Sequence, residues 1–143
     1  MVLSKIRDYF NMHIRYLHSP LIGCVDPILI SDWFISATRL NWYRDSSEWK
    51  PFHHDAAAIK EDKAEQSNLT VAISFGLERE AAFEHAKTKT VVSMAAPNGS
   101  AYVFARDINM IWRHGILQVA PEKKVDQGRI SVIAWGWVDQ EEA

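Results

Sequence analysis

The sequence predicts a mainly β protein, an antiparallel sandwich or barrel, and three observations carry that expectation. The stretch 69-LTVAISFG-76 alternates strictly, placing Leu69, Val71, Ile73 and Phe75 on one face of a strand. Further strand candidates occur at short intervals, at 82–85, 90–94, 100–105 and 130–138. No long helical pattern separates them, and a parallel sheet would need crossover helices there.

Taken in order, the chain begins with apolar residues at Leu3, Ile6, Phe10, Ile14 and Leu17, a spacing of three and four that predicts an amphipathic helix. Pro20 disfavours helix in the residue before it and marks the end near His18. This helix is expected to cover one face of the strands C-terminal to it. Over 21–39, Ser31 or Asp32 is a candidate cap for a short helix carrying Trp33 and Phe34. Strand character is expected from residue 40, which divides the chain into a helical cover segment, 1–39, and a β core, 40–143, forming a single domain together. The polar stretches 59-IKEDKAEQSN-68 and 120-APEKKVDQG-128 read as solvated loops, and 97-PNGS-100 reads as a hairpin turn.

Composition narrows the function classes. A net charge of −2 provides no global field for polyanions, so any nucleic-acid contact has to come from a local patch. The run 21–30 is interrupted by Gly23, Asp26 and Pro27 and is too short to span a bilayer. The N-terminus lacks the charged-then-apolar order of a secretion signal. A single cysteine, Cys24, excludes an internal disulfide. Together these features lead to the expectation of an intracellular, cytoplasmic or nuclear, protein.

The six histidines include an adjacent pair in 52-FHHDAAA-58. On a strand or strand end, side chains alternate, so His53 and Asp55 project together while His54 points to the other side. An imidazole and a carboxylate need one more ligand to hold a divalent ion. The remaining histidines are His13, His18, His85 and His114, and His114 lies in 112-WRHGI-116, where Gly115 permits a close backbone approach. Two histidines and one carboxylate on a single face leave coordination positions open, as in non-haem Fe(II) oxygenases.

Four separated stretches occur in order: 41-NWYRDSSEWKPFHHDAAA-58, 71-VAISFGLEREAAFEHA-86, 98-NGSAYVFARDINMIWRHGI-116 and 128-GRISVIAWGW-137. In this order the chain resembles the AlkB-like family of Fe(II)- and 2-oxoglutarate-dependent dioxygenases over residues 40 to 138. The resemblance implies a double-stranded β-helix, or jelly-roll, with one or two N-terminal helices. It implies that His53, Asp55 and His114 are the iron ligands. It implies further that Arg129 pairs with the distal carboxylate of 2-oxoglutarate, a role suited to the bidentate geometry of guanidinium. By the same resemblance Asn41 and Tyr43 hydrogen-bond this cosubstrate, while Arg79 matches a pocket-facing position that reads equally well as a solvated hairpin arginine. The family's second arginine, six residues after the first, is Trp135 here, which leaves the second carboxylate contact to another donor.

The activity implied is oxidative demethylation or dealkylation of alkylated DNA or RNA, with dioxygen consumed and formaldehyde released. Two other readings remain open at this level. One is a hydroxylase of protein or a small molecule, and the other is a binding module that keeps the barrel without the oxidation. Trp42 and Trp49 are candidates to line a substrate cleft, and His54, His85, His13 and His18 are expected to be structural or exposed.

Overall fold

In the computed structural model, residues 33–138 and Lys5 are described. The expected N-terminal helix, apart from Lys5, and His13, His18 and Cys24 lie outside the described residues. Among the described residues, eight strands run in chain order as β1 (Phe34–Tyr43), β2 (Lys50–His53), β3 (Leu69–Gly76), β4 (Arg79–His85), β5 (Val91–Ala96), β6 (Ala101–Ala105), β7 (Trp112–Ile116) and β8 (Arg129–Trp137). They form two four-stranded sheets, ordered β1-β8-β3-β6 and β2-β7-β4-β5. Every pairing is antiparallel. Strands that are consecutive in sequence alternate between the sheets over most of the chain, which is the winding of a double-stranded β-helix and agrees with the expected fold.

Alternation explains how each strand serves two environments. Val71 lies opposite Ala134, and both join Trp33, Leu69 and Val138 in one apolar cluster. The intervening residues Thr70 and Ala72 lie opposite Trp135 and Ile133, and these four line a cavity on the other face. The strongest hydrophobic alternation in the sequence therefore packs the side of this sheet turned away from the cavity. A second cluster joins Tyr43, Ala81, Ala96 and Ile116, of which Tyr43 and Ile116 line the cavity.

Three expectations are corrected. Phe34 opens a ten-residue strand rather than lying in a short helix with Trp33, so strand structure begins before residue 40. Pairing with β8 along nearly the whole strand, from Phe34↔Trp137 to Tyr43↔Arg129, outweighs the local capping signal. The turn at 97–100 is real, with Ser100 N–H donating to Pro97 O at 3.1 Å and Gly99 at φ +78°, yet it joins strands of different sheets and makes no hairpin. The polar stretch 59–68 is not wholly loop: a single-turn helix, α1 (Ala56–Ile59), ends at its first residue and a second, α2 (Glu61–Ala64), lies within it. A further helix, α3 (Arg106–Ile111), leads directly into β7. Among the described residues, no helix is long and apolar enough to cross a membrane.

Candidate metal centre and anion pocket

The end of β2 and the middle of β7 meet at the register pair His53↔His114. Gly115 makes this approach possible, since a Cβ there would collide with the backbone carbonyl of Lys50. The imidazole rings lie 4.4 Å apart between centroids. Phe104 and Phe83 surround His114, with centroids at 4.9 and 5.9 Å, and restrict its orientation.

Asp55 completes the cluster from the start of α1. An aspartate at this N-cap position ordinarily accepts from the first-turn N–H groups, but its side chain makes no capping bond. Instead Oδ1 lies 3.5 Å from His114 Nε2 and 3.9 Å from His53 Nε2. One ligand atom from each of the three residues falls within 4.8 Å of the others. His53 Nδ1 lies 3.0 Å from Pro51 O, so this nitrogen carries the proton and donates, leaving the Nε2 lone pair free. Burial, with His114 adjacent, pulls the His53 pKa below its ordinary value and favours the neutral imidazole that metals require. Burial pushes the Asp55 carboxyl up, but His114, the Trp135 indole and His53 together outweigh that and leave it below the usual range.

Two further residues support the cluster: Asn109, which gave no signal in the sequence, and Trp135, which the sequence marked only as a missing arginine. Asn109 on α3, 2% exposed, accepts from Asp55 N–H at 2.9 Å and donates to Asp55 O at 3.4 Å, fixing the ligand's backbone. Trp135 Nε1–H donates to Asp55 Oδ2 at 2.9 Å, so this oxygen is held and Oδ1 faces the histidines. His54, just past the end of β2, turns away as expected, its Nδ1 bonded to the carbonyl of Asn109. His85 is also outside the cluster, accepting from Thr88 N–H at 3.1 Å.

Arg129, at the start of β8, is 1% exposed and not a surface charge. Its Nη2 donates to Ser74 Oγ at 2.7 Å, and its guanidinium carbon lies 5.4 Å from the Tyr43 ring centroid. Nε and Nη1 are buried without a partner among the described residues. Asn41 and Tyr43 both line the adjacent cavity, with Asn41 Nδ2 donating to Ser131 Oγ at 3.3 Å. Burial raises the Tyr43 pKa against the opposing charge of Arg129, and burial pushes the Tyr102 pKa up to about 12, so both phenols are neutral donors. Arg79 is also buried, but neither as a pocket residue nor as a solvated hairpin arginine: it donates to the carbonyls of Glu48 and Leu117, each at 2.9 Å. Trp42 and Trp49 line a shallow depression that shares Asn41, Tyr43 and Lys50 with the cavity.

Fold and site thus define a jelly-roll with a His–Asp–His candidate metal centre beside a buried, partly unpartnered arginine. No protein-family model matches the sequence, and no curated protein matches it. The solved structure of OsALKBH1 is similar to this chain at a TM-score of 0.68 and 18% identity, over 94% of this chain and 64% of that one. The likeness establishes an AlkB-like fold.

Proposed function

We propose that the chain is an Fe(II)- and 2-oxoglutarate-dependent dioxygenase that removes N-linked methyl or alkyl groups oxidatively, with alkylated nucleic acid as its substrate. One observation carries this reading: the three ligand atoms of His53, Asp55 and His114 converge within 4.8 Å at the cavity. Mixed imidazole and carboxylate donors of this number suit ferrous iron with open positions. The cosubstrate fits as well, because Arg129 keeps two buried donors unpartnered and a carboxylate is the group that satisfies them.

Bound iron and 2-oxoglutarate together supply the oxidising chemistry. The chain's own residues hold and orient. His53 and His114 present Nε2, Asp55 presents Oδ1, and Trp135 prevents the carboxylate from rotating. Arg129, stacked against Tyr43, receives the distal carboxylate, and Asn41 and Tyr43 add neutral hydrogen bonds. Phe104 and Ile133 give the cavity apolar walls that limit water. The intact ligand cluster favours an enzyme over a module that has lost its chemistry.

Formaldehyde release from methylated oligonucleotides, measured beside methylated peptides with Fe(II) and 2-oxoglutarate present, tests the proposal. Release from the oligonucleotide that disappears in His53→Ala is expected. Release from peptide alone would move the substrate to protein, and no release together with no succinate formation would refute the enzyme reading.

A further inference from the structure

The cavity that holds the metal centre also carries two cations that the ligand cluster and Arg129 do not account for. Arg39 on β1 and Lys50 on β2 line it from opposite sheets. Neither has an acidic partner among the described residues, and Asp55, the acid in the cavity wall, is engaged by Trp135 and faces the histidines. The Arg39 guanidinium carbon lies 5.9 Å from the Trp135 ring centroid, and Arg39 pairs in register with Ile133, two residues from Trp135 along β8. Stacking on an indole face orients a guanidinium while leaving its in-plane N–H donors free. The indole thus does two things at once: its N–H holds Asp55, and its face aligns Arg39 at the mouth.

We infer that Arg39, aligned on Trp135 and assisted by Lys50 from the facing wall, forms an oxyanion site at the cavity mouth, distinct from the buried Arg129. Its ligand is a carboxylate or phosphate group. Two sources fit this chemistry: the 2-oxoglutarate carboxylate remote from Arg129, or a phosphate borne by the primary substrate. The site itself rests on geometry, and only the first of these sources depends on the function proposed above.

Equilibrium dialysis of the full chain against labelled 2-oxoglutarate, with Mn(II) present, and separately against inorganic phosphate distinguishes the sources. Arg39→Gln should lower affinity for the anion bound there by about tenfold, the scale of one hydrogen-bonded charge contact at a partly exposed position. A loss confined to 2-oxoglutarate assigns the cosubstrate, and a loss confined to phosphate assigns the substrate. Lys87→Gln removes the same charge from an exposed turn outside the cavity and should change neither. If Arg39→Gln binds both anions as the parent does, or no differently from Lys87→Gln, the inference is overturned. Phosphate binding needs no metal, so failure of the dioxygenase reading would show as loss of the Mn(II)-dependent arm alone.

Discussion

Two arginines, Arg79 and Arg129, are buried almost equally, at 3% and 1% exposure, yet their surroundings give them opposite uses. Both Nη atoms of Arg79 donate to the carbonyls of Glu48 and Leu117, tying the β1–β2 and β7–β8 connections to the start of β4. Nε is buried without a partner among the described residues in both arginines, and the difference lies at Nη: Arg129 donates through Nη2 to Ser74 and leaves Nη1 unpartnered as well. A buried guanidinium is tolerable when both Nη atoms are filled, as in Arg79, whereas an unfilled Nη1 beside an unfilled Nε, as in Arg129, presents two adjacent donors that a carboxylate would satisfy. The first arginine is therefore a strut and the second the proposed receptor for a carboxylate.

The largest effects should fall on the receptor side. His53→Ala should reduce Fe(II) or Mn(II) binding to below detection, whereas His54→Ala, whose ring is bonded to Asn109 O, should leave it within a few-fold of the parent. Calorimetric titration of both variants reads this directly, and a reversed order would place the wrong histidine on the metal. Arg129→Met should abolish 2-oxoglutarate binding with little loss of thermal stability. Arg79→Met should instead leave the half-buried carbonyls of Glu48 and Leu117 without their donor and cost about 3 kcal/mol in denaturant unfolding, with any loss of cosubstrate binding secondary to that.

Next in size is Trp135→Phe, which removes the N–H to Asp55 Oδ2 but keeps an aromatic face under Arg39. Removing the group that orients a metal ligand should weaken metal affinity by about 10- to 100-fold. Trp135→Arg, which restores a donor at this position, should recover part of the loss. Asn109→Ala should cost about 1–3 kcal/mol, because it leaves the Asp55 N–H buried and unsatisfied.

The smallest effect is on pH dependence. Burial holds the His53 pKa below its ordinary value of 6.5, so as pH falls through that value the unfolded chain takes up the proton first. Stability of the metal-free protein should therefore be fully present above pH 6.5 and decline as pH falls toward the lower folded-state value. A His53→Gln variant should show a shallower decline in melting temperature over the same range.

The parts of this comparison that are legible in the sequence are those set by local rules. Alternation separates Leu69, Val71 and Ile73 from the cavity-facing Thr70 and Ala72, and it anticipates the grouping of His53 with Asp55 and the exclusion of His54, although β2 ends at His53 and Asp55 reaches the cluster from the N-cap of α1. Register is not legible. Phe34 is placed in a strand only by its pairing with Trp137, and the two uses of buried arginine depend on which carbonyls happen to lie opposite. In the sequence Trp135 reads as a loss because a tryptophan carries no charge. Only in three dimensions does its N–H reach Asp55 and its ring meet Arg39, contacts made between positions distant in the chain.

The most direct test of the dioxygenase reading is the absorption spectrum of the anaerobic, Fe(II)-loaded protein as 2-oxoglutarate is added, recorded for the parent and Arg129→Met in parallel. A 2-oxoglutarate-dependent charge-transfer band in the parent, absent in the variant at the same concentrations, is the predicted result. No band in either protein, or equal bands in both, would contradict it.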